Sequence, residues 1–583
     1  MKLTFITVSA PAVKNLIKAS EEISRLDKSA LELKLYYAVK EYSKEKSAAL
    51  ISDIKASDMV FVDLMGSPVD TVKSVHMALA GCKGNIVPYG NSAREFLRLG
   101  KFTADSMSSK GDGKKPDMAA MKKMQSMAEA MGKIMPGKMR DMKNYSQICK
   151  YFYLADYLNM LNMLYLILID YGGKKSLPKP LPAKESVVCC VCSPENMQTF
   201  QSFEEYKGFF EYREDKPVIA LLFYSHIYPM DYSGAAAKIM KKLSAIGNIL
   251  PVAMSGTESV NDGVLKKLLF NFLPKKPAII LNTMSFRLGG GPMGGNLDAG
   301  IELLKDANVS YLHPYFMSRR TENEWASSIQ GSTSSEVLIS VMLPEQDGAI
   351  DTIPVGAKTE PVYHSEFDVS TDEIKIIDER LEHLFQRVKK HIILGEKPAR
   401  ERRVAIICYN YPPGEGNLFG GAFLDTFNSV ANILKNLKAG GYSTDDIDAA
   451  GLMKIFCAGK LVNSGKYTDN CDEMIKYPLK KYKAFLDDFK DKINVINAWG
   501  EPGGKIMTDE KGDLQIPAAV FKNVLVGLQP SRGVHEDQEK LYHDKTIPPH
   551  HQYIAFYRYL HDEFGADAVI HVGTHGTLEF LQG

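Results

Sequence analysis

Short apolar runs of strand length alternate with helical stretches along most of the chain. Residues 1–100 contain the runs LTFITV, DMVFVDL and GNIVPYG, with a helical stretch to about Ala48 between the first two. The later runs are VIALLFY after Pro217, ILPVAM, AIILNTM (278–284), VSYLHPYF (309–316), VLISVMLPE (337–345) and VAIICYNYP (404–412). Because strands that alternate with helices are typical of α/β layers, the sequence predicts several doubly wound, largely parallel-sheet α/β domains in series.

Changes in this pattern divide the chain into three domains and one linker. We expect an N-terminal α/β domain over residues 1–210, a second α/β domain over 215–350 and a third over 404–583. A charged helix from about Thr371 to Ile393 ends in GEKPARERR, so residues 371–403 are expected to form a helical linker.

Residues 101–143 are predicted to form a Met-rich helical insertion in the first domain. The segment carries nine methionines, and from Met118 onward they are three or four residues apart, which places them along one stripe of a helix. One interpretation is a mobile lid or docking helix over a flat hydrophobic ligand or a partner subunit. The other, which we favour, is an amphipathic helix that packs on the adjacent domain, because any surface helix needs an apolar stripe.

The most hydrophobic segment is expected to be a buried helix and not a membrane span. Residues 151–171 read YFYLADYLNMLNMLYLILIDY, and four polar residues interrupt the run, namely Asp156, Asn159, Asn162 and Asp170. The amino terminus, MKLTFITVSA, is too short in its apolar part for a signal peptide and is predicted to be a first strand. We therefore expect a cytoplasmic protein without integral membrane insertion.

Cysteine and glycine clusters each have a structural and a functional interpretation. Eight cysteines are too few for a disulfide scaffold, and Cys189, Cys190 and Cys192 lie in the apolar run SVVCCVCSP. The C-x-x-C spacing could bind metal or do redox work, but a buried strand is favoured because no second cysteine pair follows. The loop RLGGGPMGGN (287–296) could approach a ligand, although it lacks the dinucleotide fingerprint.

Charge and the nucleotide motifs exclude two classes of function. Lys and Arg number 71 against 70 acidic residues, and this net charge of +1 argues against a protein that coats nucleic acid. The phosphate-binding pattern G-x-x-x-x-G-K-[ST] is absent from the sequence. If the reaction uses ATP, another polypeptide is expected to hydrolyse it.

Histidines are concentrated near the end of the chain. Seven of the 13 lie in the last 49 residues: His535, His543, His550, His551, His561, His571 and His575. In the run ADAVIHVGTHGTLEF, residues 566–572 are predicted to be a parallel core strand and 573–576 the turn at its carboxyl end, where open α/β sheets bind ligands. His571, His575 and Glu579 could hold a divalent cation, or Glu579 could be a general base. The alternative is a satisfied strand histidine and a glutamate at a helix start.

Four segments together resemble the large subunit of the cobalt and magnesium chelatases, the CobN type and the magnesium chelatase H subunit. They are PEQDGAI (344–350), VAIICYNYPPGEGNLFGGAFLDTFNSVANILKNLKAGGY (404–442), LVGLQPSRGVHED (525–537) and KLYHDKTIPPHHQYIAFYRYLHDEFGADAVIHVGTHGTLEFLQG (540–583). The resemblance implies a subunit that binds a tetrapyrrole and inserts a divalent metal ion, while ATPase subunits of the AAA+ type hydrolyse Mg-ATP. It covers most of the chain and is strongest after about Arg403.

The resemblance also implies roles for individual residues. Glu579 is expected to act as the base or metal conduit, with His571 and His575 as metal-delivery ligands. The ring-binding cleft is expected to involve Tyr409, Asn410, Tyr411, Gly414 and Gly416. His543, His550 and His551 are either ligands on a metal-access path or solvated loop residues. The His-rich site favours Co²⁺ and a corrin-ring precursor, with Mg²⁺ and protoporphyrin IX as the alternative.

The chain stops at Gly583, inside the family's signature segment, whereas family members continue into a large second half. We therefore expect a fragment, a split-gene product that works with a separate carboxyl-terminal half, or a truncated frame. Two other classes of function stay open. One is a non-catalytic tetrapyrrole carrier, and the other is a His/His/Glu metallohydrolase unrelated to tetrapyrroles.

Overall fold

The structure, a computed structural model, describes residues 1–91, 93–106, 137–183, 188–225, 232–256, 260, 262–291, 294–409, 418–457, 474–503, 507–532, 547–574 and 576. The chain divides into two compact units, residues 1–389 and 390–583. The Met-rich insertion predicted over 101–143 lies mostly outside the described residues. Only Met139 and Met142 of its nine methionines fall in a described helix.

The first sheet of the first unit has, among the described residues, the strands β1 (Lys2–Thr7), β2 (Glu32–Tyr37), β3 (Met59–Val62), β4 (Asn85–Pro88), β5 (Arg98–Leu99) and β6 (Phe102–Thr103). Their order is β2-β1-β3-β4-β5-β6, and the first four are parallel. The connecting helices are α1 (Ala10–Leu26), α2 (Lys44–Ala56) and α3 (Val69–Ala80). Because helices cover both faces of a parallel sheet, residues 3–7 of β1 are all buried, which explains the mostly apolar run LTFITV.

The apolar segment 151–171 forms parts of two helices where the sequence predicts one. Helix α4 (Lys138–Leu154) ends at Ala155, whose φ is +49°, and α5 (Tyr157–Asp170) begins directly afterwards. Asp156 starts α5 as its N-cap, because its Oδ1 accepts a hydrogen bond of 2.7 Å from the Asn159 amide. The prediction of burial is confirmed for α5, most of whose residues are buried. Within the described ranges, no helix has the length and apolar character needed to cross a membrane.

The second sheet of the first unit is mixed. Its described strands are β7 (Cys189–Cys192), β8 (Thr199–Phe200), β9 (Val218–Tyr224), β10 (Asn248–Met254), β11 (Pro277–Asn282), β14 (Ser310–Thr321), β15 (Asp351–Lys358) and β18 (Ile374–Ile376). The order is β18-β15-β14-β11-β9-β10-β7-β8. The five strands from β15 to β10 are parallel, and the others pair antiparallel at the two edges. Two small ribbons complete this unit, β12 (Gly290–Gly291) with β13 (Gly294–Gly295) and β16 (Val362–His364) with β17 (Val369–Thr371).

Helices and helical turns connect these strands. They are α6 (Phe203–Phe209), α7 (Ser233–Leu243), α8 (Val264–Asn271), α9 (Leu297–Ala307), α10 (Glu322–Ala326), α11 (Ser334–Val337), α12 (Leu343–Glu345) and α13 (Asp378–Glu396). The charged helix predicted from about Thr371 is therefore α13, which starts later because β18 occupies residues 374–376.

The apolar run VLISVMLPE (337–345) is helical, and the expectation of a strand there is wrong. Helix α11 passes into a π-helical turn over Leu338–Met342 and then into α12. The reason is local. Thr333 and Glu336 form a capping box, in which each side chain bonds the other residue's backbone amide. This arrangement starts a helix and overrides the strand preference of the β-branched residues that follow.

The described part of the glycine-rich loop 287–296 packs on the unit's own backbone. Arg287 donates from Nε to Asp347 over 2.7 Å, and the Leu288 amide donates to the same carboxylate. Gly289 has a φ of +87°, and a Cβ on Gly300 would lie 2.1 Å from the Leu288 carbonyl oxygen. These two glycines are required by close packing between the loop and α9.

The second unit contains one four-stranded sheet and a ribbon among its described residues. The sheet strands are β19 (Val404–Cys408), β22 (Ala518–Phe521), β23 (Val524–Leu528) and β24 (Ala568–Val572), in the order β22-β23-β19-β24. Strand β19 is parallel to both β23 and β24, and β20 (Ile475–Tyr477) pairs with β21 (Leu514–Ile516) in the ribbon.

Two hydrophobic cores cover the two faces of this sheet. The helices are α14 (Thr426–Ala439), α15 (Ala449–Cys457), α16 (Leu479–Asp487), α17 (Lys492–Trp499) and α18 (His551–Asp562). Ile406 packs with side chains of α14 and α15, whereas Ala405 and Ile407 pack with those of α16 and α18. Both units thus confirm the predicted α/β class with parallel-rich sheets.

The N-cap of α5 gives a stability prediction. Asp156→Ala removes the acceptor for the Asn159 amide, so we expect the free energy of unfolding of the first unit to fall by about 1 kcal/mol. Urea unfolding followed by circular dichroism measures the change. Asp156→Asn keeps an acceptor oxygen and is the matched control. Equal losses in the two variants would contradict the capping role.

Candidate functional site

The candidate site lies where the parallel strands β23, β19 and β24 end. The Tyr409 amide donates to the Val572 carbonyl over 2.9 Å, and the Gln529 amide donates to the Cys408 carbonyl over 2.9 Å. The residues that follow the three strands therefore leave the sheet at one edge. In open α/β sheets this edge is where ligands bind.

Strand β24 is parallel, as predicted, but among the described residues it is not buried as a core strand would be. In the order of the described strands it lies at the end of the sheet, and its side chains alternate between half-buried and exposed. Val569 is 47% exposed, and His571 is also exposed. Asp567 fixes the start of the strand, because its Oδ2 accepts from the Arg403 amide over 2.7 Å and from Lys397 Nζ over 2.6 Å.

His571 is held against an aromatic ring on one side. It pairs with Ile407 in the register of β19 and β24, and its imidazole is nearly parallel to the Tyr557 ring at 6.1 Å between centroids. Partial burial of the imidazole lowers the pKa of His571 below its ordinary 6.5. The ring is therefore mainly neutral at pH 7 and keeps a nitrogen lone pair, which a metal ion or a proton can take.

Tyr557 connects α18 to the end of β23. Its hydroxyl accepts a hydrogen bond of 2.6 Å from Gln529 Nε2, and its ring contacts that of Tyr553 at 5.2 Å. Burial raises the pKa of Tyr557, so its hydroxyl stays protonated at neutral pH. Gln529, Tyr557 and His571 thus form a contact chain across three elements. Sequence reasoning missed the first two, because no spacing relates residues on separate elements.

Arg532 places a buried positive charge near the same edge. The residue is 4% exposed, and its Nη2 donates to the Ile547 carbonyl over 2.7 Å. It follows β23 by four residues, within the segment LVGLQPSRGVHED. Sequence reasoning quoted this segment but gave Arg532 no role. The only hint available was a single arginine beside a predicted strand end.

His550 starts helix α18. Its Nδ1 accepts from the Tyr553 amide over 3.3 Å, and its own amide donates to the Arg532 carbonyl over 3.3 Å. The Trp499 ring stands perpendicular to the imidazole at 5.7 Å. His550 is 5% exposed, so it is not a solvated loop residue.

His551 uses both ring nitrogens inside the protein. Nε2 donates to the Gly500 carbonyl over 2.9 Å, and Nδ1 therefore accepts from the Tyr482 hydroxyl over 2.9 Å. Burial lowers the pKa of His551, and the Gly500 carbonyl offsets this only in part. These contacts are those of a structural tether, and they leave neither ring nitrogen free to bind a metal ion, so the prediction of His551 as a metal ligand is not supported.

The structure describes four of the residues predicted for the site. Tyr409 and His571 lie at the ends of adjacent strands, and His550 and His551 lie at the start of α18. The other predicted residues lie outside the described residues: Asn410, Tyr411, Gly414, Gly416, His543, His575 and Glu579. No group of three or more His, Cys, Asp or Glu side chains that could hold a metal ion occurs in the part of the chain that is described.

Comparison with known proteins gives one family. Residues 149–583 match the family model described as CobN/Magnesium Chelatase. The chain is 26% identical over 525 residues to magnesium-chelatase subunit ChlH, chloroplastic, of Oryza sativa subsp. japonica. This match covers 84% of this chain and 36% of that protein. It is 27% identical over 429 residues to the aerobic cobaltochelatase subunit CobN of Sinorhizobium sp, with coverages of 72% and 33%. The chain thus spans about a third of the length of these relatives.

A solved structure has the same fold. The catalytic subunit of cobaltochelatase from Mycobacterium tuberculosis superposes with a TM-score of 0.62 at 18% sequence identity. The match covers 100% of this chain and 43% of that one.

The tether made by His551 predicts a loss of stability on substitution. His551→Ala leaves the buried Tyr482 hydroxyl and the Gly500 carbonyl without this partner, so we expect the second unit to lose about 2–4 kcal/mol of unfolding free energy. Tyr482→Phe removes only one of the two bonds and should cost about 1 kcal/mol. Urea unfolding at pH 8 measures both losses.

The same tether predicts a dependence on pH. Because the folded state lowers the pKa of His551, its contribution is present above the unfolded value of 6.5 and is lost as the pH falls below it. Wild-type unfolding free energy should therefore decline from pH 7 to pH 5, and the decline should be shallower in His551→Ala. Parallel declines in the two proteins would contradict this account.

The ring contact predicts the protonation of His571. Tyr557→Ala opens the covered side of the imidazole to water, so we expect the pKa of His571 to rise toward 6.5. Tyr557→Phe keeps the ring and should leave the pKa of His571 where it is in the wild type. NMR titration of the imidazole Cε1–H resonance measures both. An unchanged pKa in Tyr557→Ala would contradict the burial argument.

Proposed function

The chain belongs to the CobN/magnesium chelatase family, and from this premise we propose that it binds a tetrapyrrole and takes part in inserting a divalent metal ion into the ring. The observation that carries the proposal is the family match over residues 149–583, which includes the whole second unit and every residue of the candidate site. The neutral imidazole of His571 at a ligand-binding sheet edge supports it.

Metal insertion sets three chemical requirements. Two pyrrole N–H protons have to leave the ring, the metal ion has to lose water, and the planar ring has to distort to admit it. A carboxylate near the ring centre can accept a proton or carry a partly desolvated ion, and a neutral imidazole can do either. Exclusion of water strengthens each of these interactions.

The residues of this chain divide those tasks. In the proposed mechanism Glu579 is the base that takes a pyrrole proton, or the carboxylate that passes the ion to the ring. His571 and His575 hold the incoming ion through neutral nitrogens. His543 and His550 lie on the path by which the ion arrives. Tyr557, fixed by Gln529, orients His571 and is a positioning residue.

The ring itself is proposed to bind across the ends of β19 and β23. Tyr409 leads into the segment that carries Asn410, Tyr411, Gly414 and Gly416, where an aromatic side chain can stack on the macrocycle and glycines let the backbone approach. The buried charge of Arg532 complements the carboxylates of a biosynthetic tetrapyrrole.

Cobalt is the metal we propose, with a corrin-ring precursor as the substrate in cobalamin biosynthesis. Imidazole ligands bind Co²⁺ more strongly than Mg²⁺, which prefers oxygen and keeps its waters. The alternatives are Mg²⁺ insertion into protoporphyrin IX and a non-catalytic tetrapyrrole carrier. Relatives named for each metal are similar to the chain at modest identity.

We propose that the ATP-dependent step belongs to partner subunits. The sequence has no phosphate-binding pattern of its own, so AAA+ ATPase subunits are the expected source of Mg-ATP hydrolysis. The chain spans about a third of the length of these relatives. A carboxyl-terminal half is included in the assay as a further partner that we propose. A cytoplasmic location, with no role for nucleic acid, completes the proposal.

A reconstituted assay tests insertion. The purified chain is mixed with ATPase subunits, Mg-ATP and the complementing half, and then with Co²⁺ and a hydrogenobyrinate-type ring or with Mg²⁺ and protoporphyrin IX. The absorbance of the metallated ring measures turnover. We expect turnover with cobalt, and its loss by at least about 100-fold in Glu579→Ala while the ring still binds.

A matched control variant separates a loss of chemistry from a loss of folding. Glu510→Ala removes an exposed carboxylate of the same unit and should leave turnover unchanged. Turnover with magnesium alone would replace cobalt by the magnesium alternative. Ring binding without insertion in every combination would leave the carrier function, and the absence of any optical shift with either ring would refute tetrapyrrole binding.

A further inference from the structure

Three sulfur atoms meet at the end of β7 in the first unit. Residues two apart in a strand point to the same face, so Cys190 and Cys192 share one face of the sheet. The Cys192 thiol lies with Sγ 3.8 Å from the Sδ of Met197. Cys190, Cys192 and Met197 pack in one cluster on that face, with Phe223, Ala236 and Ala253.

This arrangement differs from the C-x-x-C pair considered from the sequence. Cys189 and Cys192 are three residues apart and belong to opposite faces of β7. Cys189 packs against the larger core of the sheet, whereas Cys192 packs with Phe223, Ala236 and Ala253 on the other side. The sulfur cluster, defined as Cys190, Cys192 and Met197, is therefore a C-x-C pair completed by a thioether from the following turn.

A tight turn holds the thioether in place. The Ser193 amide donates to the Gln198 carbonyl, and the Met197 amide donates to the Ser193 carbonyl, each over 2.8 Å. Met197 has a φ of +58°, a left-handed conformation that costs a side-chain-bearing residue roughly 1–2 kcal/mol. Glycine or asparagine would adopt it more readily, so the use of methionine here is unexplained by the turn alone.

The surroundings of the sulfur cluster are dry on one side and open on the other. Cys192 is fully buried and Cys190 is 8% exposed, while Met197 is only half-buried. An ion could reach the two thiols by displacing the Met197 thioether briefly, because methionine has three rotatable bonds.

We propose that Cys190, Cys192 and Met197 form a binding site for a soft monovalent metal ion, Cu(I). Thiolate and thioether ligands select Cu(I) over the harder divalent ions. With metal–sulfur bonds of about 2.3 Å, three sulfur atoms in a plane around one ion stand about 4 Å apart, close to the distance between Cys192 and Met197.

Binding changes charge but not oxidation state. Each thiol that ligates the ion releases its proton to solvent, and copper stays Cu(I) throughout, so no oxidant or reductant is consumed. Three soft ligands leave Zn²⁺ without the fourth that it takes in structural sites. The site is separate in sequence and in ligand type from the Co²⁺ or Mg²⁺ insertion proposed for the second unit.

Competition with a Cu(I) chelator tests the site on the full chain. The reduced protein is titrated anaerobically with Cu(I) in the presence of bathocuproine disulfonate, whose absorbance reports the copper that the protein removes. We expect one Cu(I) per chain at high affinity. Cys190→Ser and Cys192→Ser should each lower the affinity for Cu(I) by more than about 10-fold. Even a change in a residue that only supports a metal ligand typically lowers metal affinity by about 10- to 100-fold.

Two variants distinguish ligation from packing. Met197→Leu keeps the volume and removes the sulfur, so binding should weaken while circular dichroism and thermal unfolding stay close to wild type. Cys82→Ser removes a buried thiol in the connection between α3 and β4 and should leave Cu(I) affinity unchanged. Wild-type affinity in the double variant Cys190→Ser/Cys192→Ser, or in Met197→Leu, would overturn the proposal, whatever the outcome of the insertion assay.

Discussion

The candidate site depends on the parallel pairing of β19 with a strand on each side. Every side chain from Val404 to Cys408 is buried, and the strand bonds β23 and β24 along its whole length. Since parallel strands end at one edge, this pairing alone brings residues separated by more than a hundred positions in the sequence to one place. Tyr409, Gln529 and His571 become neighbours through the sheet and not through any local motif.

Helix α18 then decides how His571 is presented. The helix is fixed at its start by His550, which caps it, and by His551, which bonds Tyr482 and Gly500. Two turns later Tyr557 lies beside His571 and accepts from Gln529. A rigid scaffold that positions a partly exposed imidazole is the usual way in which proteins hold reactive groups. His551 thus supports the site by fixing the helix, and His550 caps the same helix.

The first unit shows how the same residue type can serve packing or chemistry. In its second sheet the outer strands are antiparallel additions to a parallel centre, and β7 is one of them, between β10 and β8. On β7 the alternation of faces separates Cys189 from Cys190 and Cys192. The turn to β8 then returns Met197 to the cysteine face. The C-x-x-C spacing pairs Cys189 with Cys192, but residues three apart in a strand point to opposite faces, so these two thiols do not meet.

The sequence by itself determined the fold class, most of the strands and the family. Apolar runs such as VIALLFY and VAIIC are continuous because parallel strands are buried on both faces, and that burial is legible in composition. It did not determine that 151–171 breaks into two helices or that 337–345 is helical, because one N-cap and one capping box outweigh the apolar pattern. Only the tertiary structure decided that His551 is a tether, that Tyr557 covers His571 and that three sulfurs converge. Each of those facts depends on contacts between separate elements, and hydrophobic periodicity carries no information about which side chains meet.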